Sequence, residues 1–173
     1  MTVAFIGHRN VERTEILEKR LTEIVVNLIE KEKVDTFLFG SRSRFDSLCY
    51  EIVSKLKKTY TNINRVYVRA TYEYIDEDYA DYLLKFYEKT FFPDKVSGAG
   101  AKSYVVRNQV MVDMCDVLVT YCDSNYTPPE NTTGNKMLNI INASKKKSGT
   151  QTAIRYAQKM DKRIINLISE AHV

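Results

Sequence analysis

The chain has 173 residues, of which 44% are hydrophobic and 28% charged, and 26 basic against 22 acidic side chains give a formal net charge of +4. These values are close to the average of soluble globular proteins, and they favour neither a disordered chain nor a membrane protein. No apolar run approaches the roughly 20 residues of a membrane span, and the first strand pattern begins without a basic leader. We therefore expect one cytoplasmic domain over residues 1–173, with no membrane association.

The first predicted elements are a strand and a long helix. Residues 2–6 form an apolar run that predicts a buried strand, and Gly7, His8 and Arg9 follow it as a loop. From Val11 onwards, apolar residues recur at the spacing of an amphipathic helix. These residues are Leu17, Leu21, Ile24 and Leu28.

The same order repeats in the next part of the chain. Residues 36–39 predict a second strand closed by Gly40, and a loop then leads into a helix. The helix is marked by Phe45, Leu48, Ile52 and Leu56. Residues 66–68 predict a third strand, and 76–89 a helix that residues 91–93 bring to an end.

Tyrosines are concentrated between residues 72 and 87. The stretch contains Tyr72, Tyr74, Tyr79, Tyr82 and Tyr87. Their spacing predicts a packed helical face, which favours a core or dimer contact over base stacking and makes a homo-oligomer a hypothesis.

The last elements are interrupted by a polar insert. Residues 102–115 predict a helix and 117–121 a fourth strand. Residues 123–147 predict a loop or lid, with one helical turn near 137–141. Ser148, Gly149 and Thr150 open a helix that directs Ala153, Ala157 and Met160 inward, and 163–168 predict a fifth strand.

Alternation of helices with strands that are apolar on both faces indicates the fold class. It predicts an α/β, Rossmann-like three-layer sandwich with a mostly parallel sheet of about five strands. In such a sheet, ligands bind beyond the carboxyl ends of the strands, where loops lead into helix N-termini.

Two loops at that edge combine glycine with polar or basic side chains. Ser148, Gly149 and Thr150 offer main-chain amides, hydroxyls and a helix N-terminus to a phosphate, although a plain N-cap is the alternative. The loop after Gly40 holds Ser41, Arg42, Arg44 and Asp46. Its arginines suit phosphate or carboxylate, whereas Asp46 suits a ribose hydroxyl or an ordinary helix cap.

Two further segments contribute candidates. Gly7, His8 and Arg9 place an imidazole and a guanidinium on the first loop, where the histidine could equally be a hydrogen-bonded scaffold residue. Arg107 and Asn108 lie within a predicted helix, and an inward-pointing arginine there requires an anionic partner.

Metal and cofactor motifs are absent from the sequence. Cys49, Cys115 and Cys122 form no CxxC pair, so we predict buried thiols and no metal site. The chain has no GxSxG, HExxH, Walker A or GxGxxG pattern, and no cofactor is predicted.

Taken in order, these motifs resemble those of the SLOG superfamily, and most closely its small YpsA-like bacterial and prophage proteins. The similar pieces are residues 4–9, 39–46, 107–108, 111–112, 116–119 and 148–153. The resemblance implies a Rossmann-like domain that binds nucleotides or their derivatives, with phosphate over the turn 148–150 and Arg107 reaching the pocket. The cytokinin-activating relatives carry a glutamate three residues after the threonine of this turn, where this chain has Ala153. That difference argues against a phosphoribohydrolase.

Three functions remain open at this stage. The first is a sensor or binding module for a nucleotide-derived small molecule. The second is an enzyme that cleaves a nucleotide or its N-glycosidic bond, with Asp46, His8 and Glu130 as candidate catalytic residues. The third is single-stranded nucleic-acid binding through Arg42, Arg44 and residues 145–147, which the modest net charge supports poorly.

Overall fold

A computed structural model describes residues 1–40, 43–123 and 148–168. The predicted α/β, Rossmann-like architecture is confirmed, with a parallel sheet flanked by helices. The strands are β1 (Thr2–Gly7), β2 (Thr36–Phe39), β3 (Asn64–Val68), β4 (Lys89–Phe91), β5 (Val117–Tyr121) and β6 (Arg163–Asn166). The helices in these ranges are α1 (Glu15–Glu32), α2 (Arg44–Leu56), α3 (Glu77–Leu84), α4 (Ser103–Met114) and α5 (Gly149–Lys159).

The strand order reverses direction between β1 and β5. The order across the sheet is β4-β3-β2-β1-β5-β6, and every neighbouring pair is parallel. The chain winds from β1 out to β4 and then crosses back to β5 on the other side of β1. This reversal makes the position between β1 and β5 the topological switch point, at which open α/β sheets usually bind ligands.

Two hydrophobic cores cover the two faces of the sheet. On one face α1 and α2 pack over an aromatic row in which the ring of Phe5 lies 5.9 Å from that of Phe37 and 5.4 Å from that of Phe39. On the other face α4 and α5 pack over strand residues that include Ala4, Leu38 and Val68. Adjacent strand residues point to opposite faces, so an apolar run in each strand supplies both cores.

The first helix begins later than its apolar pattern predicts. Thr14 is the N-cap of α1, because its hydroxyl accepts a hydrogen bond from the Leu17 N–H at 3.2 Å. Val11 is buried in the preceding loop instead of being helical. Val11 packs into the core from the loop, whereas the sequence pattern assigned this apolar residue to the helix.

The predicted helix over 76–89 is wrong in its second half. Helix α3 ends at Leu84, and the chain then forms β4, a sixth strand that pairs with β3. Glu88 accepts hydrogen bonds from the main-chain N–H of Arg65 at 2.7 Å and from its Nη2 at 2.8 Å. These contacts with β3 hold the segment in the sheet, and they involve residues far away in sequence.

Two expectations about side-chain burial are also wrong. Tyr72, Tyr74 and Tyr82 are exposed by 65%, 89% and 51%, and the first two precede α3, so the tyrosines do not pack against the core as one helical face. Tyr87 alone of these lies against the core. The ring of Tyr79 contacts those of Tyr72 and Tyr82, and a dimer contact stays a prediction. Met160 is also exposed instead of pointing inward, whereas Ala153 and Ala157 are buried as predicted.

Of the remaining predictions, one is confirmed and others concern residues outside the described ranges. All three cysteines are buried and free, as predicted. Of the predicted lid over 123–147, only Asp123 belongs to the described residues, and the helical turn near 137–141 lies outside them. Among the helices that the structure describes, none has both the length and the apolar character needed to cross a membrane.

Candidate functional site

The loops after β1 and β2 are packed against each other. A β-carbon on Gly7 would lie 2.2 Å from Cδ1 of Phe45, so glycine at the end of β1 gives the Phe45 ring room to pack over the strand. The main-chain N–H of Arg44 donates to the Arg9 carbonyl oxygen at 3.0 Å. Both arginine side chains are exposed at this edge. Two of the predicted basic groups therefore lie next to each other, Arg9 on the loop after β1 and Arg44 at the first position of α2.

His8 connects the loop after β1 to the residues after β5. Its side chain is 2% exposed, and its Nε2 accepts a hydrogen bond from the main-chain N–H of Asp123 at 2.9 Å. An accepting Nε2 requires that the neutral ring carry its proton on Nδ1. Burial lowers the pKa of His8 below its usual value, against the opposing effect of Asp123. These contacts favour the scaffold interpretation of His8, and a catalytic role stays a prediction.

Arg107 points inward, and its guanidinium lies at the carboxyl ends of β2 and β3. The side chain is 1% exposed. Its Nη1 donates to the carbonyl oxygen of Val68 at 3.1 Å, and its Nε donates to Oδ1 of Asn108 at 3.0 Å. The predicted anionic partner is Asp46, whose carboxylate acts on the guanidinium from beyond ion-pair distance. Burial lowers the pKa of Arg107, and the charge of Asp46 partly offsets this effect.

Asp46 closes the loop between β2 and α2. Its Oδ1 accepts a hydrogen bond from the main-chain N–H of Gly40 at 3.4 Å, and the residue is 5% exposed. Capping of α2, the alternative considered for Asp46, belongs instead to Ser43, whose hydroxyl accepts from the Asp46 N–H at 3.0 Å. A ligand-binding or catalytic role for Asp46 stays a prediction.

Ser148, Gly149 and Thr150 form the start of α5, as predicted. Ser148 and Gln151 make a capping box, in which the Ser148 hydroxyl accepts from the Gln151 N–H and the Gln151 side chain accepts from the Ser148 N–H, both at 3.1 Å. Ser148 and Thr150 are buried, whereas Gly149 is exposed, and a β-carbon on Gly149 would meet no atom of residues 1–40, 43–123 or 148–168 within 4 Å. The helix start is thus fixed by side chains and open at its first residue.

The amides that remain at this helix start are those of Gly149 and Thr150. Neither N–H has an acceptor among residues 1–40, 43–123 and 148–168. The capping box uses only the N–H groups of Ser148 and Gln151, on either side of them. The first amides of a helix carry partial positive charge and bind anions well. The arrangement can therefore donate two hydrogen bonds to an oxyanion.

The topology brings the residues that follow β1, β2 and β5 and the start of α5 to one edge of the sheet. The loops after β1, β2 and β5 leave the carboxyl ends of parallel strands, and α5 begins at the same edge because β6, which follows it, runs parallel to β5. Ala153 of α5 shares a core cluster with Ile6 of β1. Ser41, Arg42 and Glu130 lie outside the described residues.

Two residues at this edge were not among the predicted site residues. Asn166 holds the chain after β5, since its Oδ1 accepts from the Cys122 N–H at 3.1 Å and its Nδ2 donates to the Cys122 carbonyl at 3.0 Å. Arg69 follows β3 directly. A polar residue ending an apolar strand was the available signal for both, but it does not distinguish such residues from solvated loop positions.

Neither a scan of protein-family models nor a search of curated proteins gives a match for this chain.

Proposed function

We propose that this protein is a binding or sensor module for a nucleotide-derived small molecule, with a ligand phosphate at the start of α5. The observation that carries the proposal is the pair of main-chain N–H groups at Gly149 and Thr150, which have no acceptor in the described part of the chain. Glycine at the first helical position leaves space for an oxyanion to approach the backbone.

The rigid surroundings of these amides support the proposal. The capping box fixes Ser148 and Gln151, so the two remaining donors keep their direction without a bound ligand. Preorganised donors lose little conformational entropy on binding, and this loss is one of the main costs of association. A phosphate here would also gain from the positive end of the α5 dipole.

The position of Arg107 supports a ligand that extends from the start of α5 along the same edge of the sheet. Its guanidinium is a permanent positive charge at the carboxyl ends of β2 and β3, and it makes no ion pair within 1–40, 43–123 and 148–168. A nucleotide derivative is larger than one phosphate and extends over several strand ends in folds of this kind.

The first experiment is a thermal-shift comparison of nucleotides with their nucleosides. Adenosine monophosphate and adenosine differ only in the phosphate, as do the corresponding guanosine, cytidine and uridine pairs. At a hundredfold excess over Kd, a bound nucleotide would raise the unfolding free energy by about 2.7 kcal/mol. Stabilisation by nucleotides but not by nucleosides is expected. No shift with any phosphorylated nucleoside would overturn the proposal.

A glycine substitution locates the phosphate. Gly149→Ala places a methyl group in the open space beside the amides, so it should weaken nucleotide binding. The same change should leave the fold intact and stabilise it by up to roughly 0.4–1 kcal/mol, because alanine restricts the unfolded chain. Gln158→Ala, on the exposed side near the other end of α5, is the matched control for binding. Equal nucleotide affinity in the wild type and Gly149→Ala would exclude the start of α5.

A further inference from the structure

Arg69 follows the last residue of β3 and brings a second guanidinium to the carboxyl edge of the sheet. Its main-chain N–H donates to the Phe91 carbonyl at 2.9 Å, which continues the pairing of β3 with β4. Because side chains alternate along a strand, Arg69 lies on the same face as Tyr67, whose partner in the register is Thr90. Arg69 and Thr90 are thus diagonal neighbours on adjacent strands.

Within the described part of the chain, the surroundings of the Arg69 side chain contain aromatic rings and a carbonyl but no anion. Its Nη1 donates to the Tyr72 carbonyl at 2.5 Å, and its Cζ lies 5.9 Å from the centroid of the Phe92 ring. The phenols of Tyr67 and Tyr79 are the ionisable groups that act on it. No carboxylate among the described residues lies within ion-pair distance of Arg69, in contrast to Arg13, Arg65 and Arg163.

Two buried atoms in this place have no hydrogen-bond partner within the described structure. They are Nε of Arg69, a donor, and Oγ1 of Thr90, which can donate or accept. Nearly all buried polar atoms in native proteins are hydrogen-bonded, so such atoms indicate a missing hydrogen-bond partner. A partly buried guanidinium that lacks a counter-charge has the same requirement, because burial lowers its pKa by disfavouring the charged form.

Arg107 approaches the same strand end from the other face. Its Nη1 binds the carbonyl of Val68, the residue immediately before Arg69. Val68 belongs to the core beneath α4 and α5, whereas Tyr67 stacks on Tyr87 at the opposite core. The end of β3 therefore carries two guanidinium groups, one on each side of the sheet.

We propose that Arg69 and Thr90 form an oxyanion subsite, in which Arg69 Nε and Thr90 Oγ1 donate to a phosphate or carboxylate oxygen. This inference deepens the proposed function and rests on it in one respect, namely that the oxyanion is a second anionic group of the same ligand. The ligand class is then a nucleotide derivative with two separated anionic groups, one at the start of α5 and one at the end of β3.

The test uses inorganic phosphate as the probe and nuclear magnetic resonance of arginine Nε–H groups as the readout. The Arg69 signal, assigned by its loss in Arg69→Lys, should move with phosphate and reach saturation. The Nε–H of Arg65, which donates to Glu88 at 3.2 Å, is the internal control and should stay in place. Thr90→Val, which is nearly isosteric, should weaken the phosphate effect about tenfold, as expected for a lost hydrogen bond to a charged group.

Each result decides between the subsite and its alternatives. An Arg69 signal that does not move with phosphate overturns the subsite, and the buried atoms are then satisfied by water alone. A signal that moves equally in Thr90→Val removes Thr90 from the site and overturns the paired-donor geometry. Unfolding curves of both variants without phosphate show whether either change has disturbed the fold.

The two proposals fail in different ways. If phosphate moves the Arg69 signal but no nucleotide stabilises the protein, the subsite stands and the nucleotide proposal fails. If nucleotides stabilise the wild type and Arg69→Gln equally, and phosphate leaves Arg69 unmoved, only the subsite fails. Arg163→Gln, which alters a guanidinium at the amino end of β6, is the matched charge control in the nucleotide measurements.

Discussion

A β-carbon on Gly40 would lie 2.2 Å from Nη1 and 2.7 Å from Cζ of Arg107. Gly40 follows β2, whereas Arg107 belongs to α4, so a strand end and a helix meet at van der Waals distance. The absence of a side chain at Gly40 gives the guanidinium room to reach the Val68 carbonyl. The glycine is therefore a packing requirement of the buried arginine.

Gly40→Ala should destabilise the protein. The added methyl group would displace both the Arg107 guanidinium and Sδ of Met111, which would lie 2.8 Å from it. Overpacking of this kind costs about 1–3 kcal/mol. Urea unfolding measures the change, and Gly149→Ala is the control because its β-carbon meets open space. Equal stability of Gly40→Ala and the wild type would contradict the close contact.

Asp46→Asn should destabilise the protein without removing the acceptor for the Gly40 N–H. The amide oxygen can still accept that hydrogen bond, but the buried guanidinium of Arg107 loses the charge that opposes the effect of its burial. We expect a loss of about 1–3 kcal/mol that depends little on salt.

The control for Asp46→Asn is Glu51→Gln, which removes a carboxylate from an exposed pair with Arg13. Exposed pairs contribute about 0–1 kcal/mol, so this variant should remain close to the wild type. The two losses would be similar if the Asp46 charge had no effect on Arg107. Measurement of free base released from nucleoside monophosphates by Asp46→Asn also tests the hydrolase hypothesis.

The free energy of unfolding should decrease as the pH is lowered, because His8 is buried. Its pKa in the folded protein lies below the usual 6.5, so the unfolded chain binds the proton more readily. The stability is therefore full above about pH 6.5 and is lost as the pH falls through that value towards the lower folded pKa. His8→Gln can still accept from the Asp123 N–H but does not titrate.

Urea unfolding of both proteins between pH 8 and 5 checks the His8 prediction, at about 1.36 kcal/mol for each unit of pKa difference. The wild type should lose more stability than His8→Gln over this range. Parallel losses in the two proteins would show that other groups cause the pH dependence.

Changes at Ser148 should separate helix capping from anion binding. Ser148→Ala removes the capping box and should cost about 1 kcal/mol, measured by unfolding and by faster amide exchange in the first turn of α5. Ser148→Asp keeps an acceptor for the Gln151 N–H and favours the helix dipole, so the fold should retain its stability. Its negative charge should nevertheless weaken phosphate binding. Unchanged phosphate affinity in Ser148→Asp would contradict a site at this turn.

The sequence by itself determined the fold class and the order of most elements. Apolar runs such as 36–39 and 117–121 predict buried strands because a strand covered on both faces has no polar side. The start of α5 was also predicted, since Ser148 is of a residue type that commonly caps helices and it precedes a helical pattern. These features depend on residues that are close in sequence.

Only the tertiary structure decided the features that depend on distant residues. The chain from 89 to 91 became a strand because β3 offers it a pairing edge and Arg65 binds Glu88. Arg107 is buried where Gly40 leaves space for it and where the Val68 carbonyl accepts a hydrogen bond from its Nη1. His8 is held through the Asp123 amide, which is separated from it by 115 residues. Local patterns indicate which residue types occur in such places, but the hydrogen-bond partners and the space exist only once the sheet has formed.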